Sequence, residues 1–266
     1  MIRTQQVGFS QRIRLDWLEY TANLLLAGCP TSEIVAALKE HLRDRLSVGN
    51  DPKRGNRDKA ITILTRVWVT VPADLRQLRD KALELLQRLP ASDRILVHWC
   101  MCMAVYPFFG TVADATGRLL RLQGTTAAAQ VQRRVREQLG ERETVARAAR
   151  RVLRAFIDWG VLLETHEKGI YRGAAKHAVH DLALRVWTIE AILFAKDRTP
   201  QPVPDLVQGP HLFPFDIVPP PVRRLETCGE FEVTRYGLNN DLLLGLARTS
   251  PDRETRPLVR SGTLRD

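Results

Sequence analysis

The most constraining feature of this sequence is an arginine-rich segment, Thr144–Trp159, whose polar and apolar side chains separate on helical spacing. On an α-helix, at about 100° per residue, four arginines fall within one arc of roughly 100°. They are Arg147, Arg150, Arg151 and Arg154. The opposite side carries Val145, Ala149, Val152, Leu153 and Phe156. The pattern predicts a helix with a packed apolar back and a guanidinium face suited to a polyanion.

The segments around this helix predict a winged helix-turn-helix. In chain order they are helices over Thr111–Leu122 and from Thr125 or Thr126 to about Leu139, the arginine helix, and strands over Val161–Thr165 and Ile170–Arg172 around a turn at His166–Gly169. Glycines follow the helices at Gly124, Gly140 and Gly160, as is typical of helix ends. Two helices, a third exposed helix and a β-hairpin, in that order, match a helix-turn-helix followed by a wing.

The rest of the chain predicts a mostly α-helical protein. Residues 12–89 carry four to five amphipathic segments and predict an N-terminal helical bundle. Residues 90–175 hold the central winged helix-turn-helix with its small β-wing, joined to the bundle by a buried linking helix, Asp93–Tyr106. Residues 176–248 predict a C-terminal extension, a helix followed by a proline-rich arm that packs in extended form. Residues 249–266 predict a disordered basic tail.

The charge balance points to an anionic partner. The formal net charge is +10, the pI is about 9.9, and arginine predominates over lysine. Such a balance favours nucleic acid or an anionic surface, although arginine-rich chains encoded by GC-rich genomes are also basic. Between Arg118 and Arg154 only Glu137, Glu141 and Glu143 are acidic. A face built only for solubility would interleave more carboxylates for pairing one helical turn apart.

Thirteen side chains are candidate DNA contacts, in four groups. Arg147, Arg150 and Arg151 are placed for guanine edges or phosphates, and Arg154 for the backbone. The preceding helix offers candidate phosphate contacts at Arg133, Arg134 and Arg136. The wing carries His166, Lys168 and Arg172. A basic loop carries Lys53, Arg54 and Arg57. The alternative for each group is a solvated surface with no ligand.

Other chemistry is not indicated by the sequence. Four scattered cysteines predict no disulfide scaffold and fit a reducing cytoplasm. His98 and Cys102 lie one helical turn apart, but a structural zinc site needs a second ligand pair. We therefore expect no metal, no cofactor and no catalysis. We also expect no membrane span, because no apolar stretch reaches about 20 residues.

Residues 17–70 resemble a known family. One helix ends at Leu24-Leu25-Leu26-Ala27-Gly28, and the next ends at Leu46-Ser47. A basic loop with Arg54 and Arg57 follows, and a further helix begins near Ala60. Followed by a winged helix-turn-helix, this layout is similar to the BrxA family, accessory proteins of BREX phage-defence systems. The similarity covers about residues 12–172. It implies a helical DNA-binding protein that works beside a methyltransferase, a phosphatase-like PglZ protein and large ATPases. The segment after Gly173 departs from the family pattern, and no site residue is carried over.

The sequence thus predicts a non-catalytic accessory protein that binds double-stranded DNA with little sequence specificity, with other phage-defence proteins as further partners. One alternative is an adaptor that docks on a larger defence enzyme. Another is a winged-helix transcriptional repressor, which would prefer a defined operator. The oligomeric state stays open.

Overall fold

The computed structural model describes residues 7–46, 55–237 and 241–247. The chain is mostly helical, at 61% helix, with eleven α-helices and small sheets in these ranges. The expected mostly α-helical class is confirmed at this level. Lys53 and Arg54 of the basic loop, and the segment 249–266, lie outside the described residues.

Five helices form the N-terminal half of the described chain. They are α1 (Leu15–Leu26), α2 (Thr31–His41), α3 (Asn56–Trp68), α4 (Arg76–Arg88, after a 3-10 turn at Ala73–Leu75) and α5 (Ala91–Val105). Each is amphipathic or apolar, and Gly28, Pro72 and Pro90 lie between successive helices, where glycine and proline stop helical backbone. Leu18, Leu38 and Trp68 from three of these helices are fully buried, so α1, α2 and α3 share one core.

Helix α5 is the central element of the fold. Every side chain from Ile95 to Val105 is buried. Its Trp99 ring lies 5.0 Å from Phe109, 4.7 Å from Phe156 and 5.6 Å from Phe213, measured between ring centroids. These aromatic residues come from distant parts of the chain, so one ring cluster joins the middle of the sequence to its C-terminal part.

The middle of the chain folds as α6 (Pro107–Gln123), β1 (Thr125–Ala127), α7 (Ala128–Leu139), α8 (Glu143–Asp158), β2 (Leu162–Glu164) and β3 (Ile170–Gly173). The strands form one antiparallel sheet in the order β1-β3-β2. Helix α6 begins four residues earlier than predicted, since proline is tolerated at the first helical position. Thr125–Ala127 is a strand and not the predicted start of α7, because Thr126 pairs with Tyr171 of β3.

The C-terminal part differs from the predicted extended arm. It contains β4 (His177–Val179), α9 (Leu182–Ala195), β5 (Gln201–Pro202), α10 (Val203–Gln208), a 3-10 turn (Pro210–Leu212), β6 (Phe215–Ile217), α11 (Val222–Thr227), β7 (Phe231–Tyr236) and β8 (Asp241–Leu246). Strand β4 pairs in parallel with β6, and β8 lies between β5 and β7. Pro204 and Pro210 lie in the first turns of short helices and Pro202 ends β5, positions where the missing backbone N–H is tolerated.

Within the described ranges, no single helix is long and apolar enough to cross a membrane. Helices α5 and α6 together have the necessary length and composition, but the chain bends by 117° between them.

Candidate nucleic-acid interface

Helix α8 has the two faces that the arginine pattern predicted. Val145, Ala149, Val152 and Phe156 are fully buried and pack the back of the helix into the core. Arg147, Arg150 and Arg154 are exposed on the other side. The helix begins after Arg142 and ends at Trp159, with Gly160 in the left-handed conformation (φ 72°) that glycine adopts without strain.

Carboxylates partner more of the candidate arginines than the sequence suggested. Arg147 pairs with Glu143 one turn earlier, and Arg154 Nη1 lies 2.9 Å from Glu164 Oε1 on β2. On α7, the Arg133–Glu137 and Arg136–Glu141 pairs have N···O distances of 3.6 and 3.3 Å. The three glutamates between Arg118 and Arg154 all form ion pairs with candidate arginines. Glu164 was not expected as a partner, because it lies ten residues after Arg154 on a separate strand.

These ion pairs are weak. The arginine side chains in them are 38–66% exposed. Exposed pairs contribute about 0–1 kcal/mol each, because water screens them and both side chains lose rotamer freedom. A phosphate that offers charge-assisted hydrogen bonds can therefore displace the carboxylate at small cost.

Four of the candidate arginine and lysine contacts on α7, α8 and the wing have neither a carboxylate within 4 Å nor a side-chain hydrogen bond among the described residues: Arg134, Arg150, Lys168 and Arg172. Arg150, Lys168 and Arg172 are exposed, and Arg134 is half-buried. His166, also exposed, lies with Lys168 in the turn between β2 and β3. These side chains are the most available for an anionic ligand, since no intramolecular ion pair has to be broken.

The wing residue Arg172 is held outward by the sheet register. On β3, Tyr171 and Thr126 opposite it are buried, whereas Arg172 is exposed opposite Thr125 of β1 and Leu163 of β2. Successive side chains of a strand point to opposite faces, so burial of Tyr171 places Arg172 on the outer face. The Arg154–Glu164 pair also ties α8 to the same sheet.

Arg151 differs from the other arginines of α8. It is half-buried, and its Nη1 donates to the backbone carbonyl of Ser10. Burial lowers the pKa of Arg151, with the nearby charge of Arg147 as a second cause, although an arginine remains protonated at neutral pH. The hydrogen bond from Arg151 holds the N-terminal segment against α8. Arg151 is therefore less available to a ligand than Arg150.

The segment 7–14 is a part of this surface that the sequence did not indicate. Arg12 pairs with Asp158 at the end of α8, and Trp159 Nε1 donates to the carbonyl of Ile13 at 2.9 Å. The Phe9 ring lies 5.2 Å from that of Phe109. Two buried apolar residues four positions apart, Phe9 and Ile13, were the only signal that this segment would pack.

The first turn of α3 connects to the same segment. Gln11 donates from Nε2 to Asn56 Oδ1 at 3.3 Å, next to the residue that Arg151 contacts. Arg57, on this turn, is half-buried, and its Nε has no hydrogen-bond partner among the described residues. Arg57 is the only member of the basic-loop group that the structure describes, and the N-terminal segment links its helix to α8.

No group of three or more His, Cys, Asp or Glu side chains in the described chain is arranged to hold a metal ion. His98 instead hydrogen-bonds through Nε2 to Glu19 Oε2 at 2.6 Å, and Arg94 pairs with the same carboxylate. The His98 hydrogen bond is the largest influence that lowers the pKa of Glu19, to about 2. Cys100 and Cys102 are fully buried, and burial raises the pKa of both thiols.

No protein-family model, curated protein or solved structure matches this chain. The similarity to the BrxA family therefore rests on the sequence pattern alone.

Proposed function

We propose that α6–α8 and β1–β3 form a winged helix-turn-helix and that the chain is a non-catalytic, double-stranded DNA-binding protein. One observation carries the proposal. The exposed arginines of α8 project from the third helix in the order α6, β1, α7, α8, β2, β3, next to an antiparallel hairpin whose turn carries His166 and Lys168. In domains with this order the third helix enters the major groove and the wing follows the backbone.

The ion pairs assign different roles to the candidate residues under this proposal. Arg150, which has no carboxylate partner in the described part of the chain, contacts a base edge or a phosphate directly. Arg147 and Arg154 exchange Glu143 and Glu164 for phosphate oxygens, and Arg133, Arg134 and Arg136 contact the backbone. Arg151 positions the N-terminal segment. Contacts of this kind are mainly to the backbone and carry little sequence information.

The test is DNA binding by fluorescence anisotropy over a range of salt concentrations, using a duplex of about 25 base pairs. The four unpaired cations alone give a slope of about −4 for log K against log salt, and the arginines that exchange carboxylates for phosphates make it steeper. Arg150→Glu/Lys168→Glu should lower affinity at least about tenfold at low salt and reduce the magnitude of the slope by about 2.

The matched control is Arg223→Glu/Arg224→Glu on α11. Both residues are exposed, their helix packs against β7, and the change in net charge is the same. An equal loss of affinity in both variants would mean that only net charge matters, which excludes α8 and the wing as the interface. No binding by the wild type at low salt would exclude DNA binding altogether.

We further propose, on the family resemblance alone, that the protein is an accessory factor of a BREX-type phage-defence system. Weak sequence preference would fit that role, whereas selection of one operator from a random duplex library would identify a transcriptional repressor.

A second candidate function is an adaptor that docks on a larger defence enzyme. It is favoured by Val218 and Val222, which are 62% and 42% exposed on either side of Pro219-Pro220-Pro221. Extended proline segments flanked by apolar side chains are common ligands of aromatic grooves. Wild-type protein that co-purifies with a defence enzyme through this segment, and binds no duplex, would favour the adaptor.

A further inference from the structure

A cavity of about 380 Å³ lies between α6, the last turn of α7, the end of α9 and the 3-10 turn at Pro210–Leu212. Its volume is in the range of sites for small molecules. Met103, Pro107 and Ala195 provide an apolar wall. The polar lining is Thr111, Asp114, Gln138, Lys196, Asp197 and His211. None of these belongs to the proposed DNA contacts.

His211 is the unusual member of this lining. It is 2% exposed, and neither ring nitrogen has a hydrogen-bond partner among the described residues. Burial lowers its pKa to about 3, so at neutral pH the ring is uncharged, with one N–H donor and one acceptor nitrogen. Buried polar groups in native proteins are nearly always paired. A molecule in the cavity, a water or a ligand, can supply the partner that the described residues do not.

Contacts on both sides fix the position of the 3-10 turn that carries His211. Trp99 Nε1 donates to the His211 carbonyl at 3.1 Å, which anchors the backbone of the 3-10 turn. At Gly117 of α6 there is no room even for a Cβ, because the carbonyl of Pro210 lies against it. The imidazole also lies where a side chain on Gly209 would be. These contacts fix the turn that places His211 in the wall of the cavity.

The charged side chains of the lining favour a ligand that carries both a positive and a negative charge. Lys196 and Asp197 are exposed next to each other at the end of α9, with no ion pair among the described residues. Asp197 adopts φ 52°, a left-handed conformation that aspartate tolerates and that ends the helix there. Asp114 is neutralised by Arg118, whose Nε lies 2.6 Å from Oδ2. A purely anionic ligand would meet the unpaired carboxylate of Asp197, and a purely cationic one would meet Lys196.

We propose that this cavity binds a small zwitterionic molecule of amino-acid size. Its carboxylate pairs with Lys196, its ammonium group with Asp197, and its apolar body packs on Met103 and Pro107. A polar group on its side chain hydrogen-bonds to His211. Since α7 contributes Gln138 to the cavity and packs on α8, the ligand lies one helix away from the arginine face.

The test is thermal unfolding of the full chain with each of the twenty proteinogenic L-amino acids, followed by calorimetric titration of those that stabilise it. At a hundredfold excess over Kd, a ligand of the folded state should raise Tm by about 5–10 °C. Lys196→Ala and His211→Leu should weaken binding at least tenfold, and the exposed lysine variant Lys176→Ala should leave it unchanged.

Two outcomes would overturn the proposal: no amino acid raises Tm, or the effect persists in Lys196→Ala and His211→Leu alike. Lys196 is exposed, so its variant remains informative if His211→Leu fails to fold. The ¹⁵N resonances of the His211 ring give a direct readout in the wild type. They should move when a stabilising amino acid is added, and unchanged resonances would exclude His211 from the site.

Discussion

At the residue scale, Gly117 decides how closely the C-terminal part approaches α6. A Cβ at this position would overlap the backbone carbonyl of Pro210 and lie 3.0 Å from Phe213 Cβ. The obstacle is backbone, held by the Trp99–His211 hydrogen bond, so it cannot move aside as a flexible side chain could. Glycine is needed here for space and not for an unusual backbone angle.

We expect Gly117→Ala to destabilise the protein by about 3 kcal/mol, the upper part of the usual range for overpacking a core. The reason is that α6 and the 3-10 turn must separate to admit one methyl group. Urea unfolding followed by circular dichroism measures the change.

Gly110→Ala is the matched control in the same helix. There the nearest atom to the added Cβ is Met103 Cε at 3.5 Å, an ordinary contact. Since alanine favours helix over glycine by about 1 kcal/mol, this variant should be as stable as the wild type or slightly more stable. Equal stability of both variants would contradict the close approach at Gly117.

At the element scale, Asp181 begins α9 and connects it to α4. Its Oδ1 accepts the backbone N–H of Leu184 at 2.7 Å, a side-chain N-cap, and Arg88 Nη1 lies 2.6 Å from Oδ2. The Arg88 hydrogen bond, aided by the backbone N–H of Leu184, lowers the pKa of Asp181.

We expect Asp181→Ala to reduce the free energy of unfolding by about 1 kcal/mol at pH 7, mainly through loss of the cap. The ion pair with Arg88 adds little to the free energy of unfolding, because about half of the Arg88 side chain is exposed and water screens its charge. Because the folded pKa is depressed, the contribution of the carboxylate is complete above the unfolded value, about 3.9, and is lost as pH falls through the folded value. Urea unfolding of wild type and variant from pH 7 to pH 3 measures this.

Asp181→Asn separates the two interactions, since asparagine caps helices about as well but carries no charge. It should stay within a few tenths of a kcal/mol of the wild type. A loss as large as that of the alanine variant would show that the ion pair, and not the cap, stabilises α9.

At the scale of the whole molecule, Lys81 joins the N-terminal helices to the C-terminal part. Its Nζ on α4 lies 3.0 Å from Glu190 Oε2 on α9 and 3.4 Å from Glu230 Oε1 before β7. Glu190 is only 8% exposed, and burial, the largest influence, raises its pKa. The pair therefore places one nearly buried carboxylate at a junction of three elements.

We expect Lys81→Met to destabilise the protein by about 3 kcal/mol at pH 7, because Glu190 is left buried without its counter-ion. Adding Glu190→Gln should restore part of this loss. Thermal unfolding at pH 7 measures both.

The comparison variant Arg43→Met removes an exposed pair with Glu40 and should change stability by less than about 1 kcal/mol. If Lys81→Met had an equally small effect, the junction would not depend on this charge pair.

The sequence by itself determined most helices, and it determined that α8 has an apolar face and an arginine face. Its apolar residues recur at helical spacing, and glycines or prolines stand where the helices end, so local periodicity was sufficient. The hairpin of β2 and β3 was predicted on the same local basis. Strand β1 was not, because Thr125–Ala127 is a strand only through its pairing with β3, more than 40 residues later in the chain.

Only the tertiary structure decided which arginines have partners. Arg151 bonds to Ser10 and Arg154 to Glu164, and neither contact follows from the periodicity of α8. The cavity beside His211 likewise depends on the meeting of α6, α9 and a 3-10 turn that the sequence suggested was an extended arm. Helical spacing establishes which side chains share a face. What that face touches depends on how distant segments pack, and this follows from the shape and burial of the whole chain.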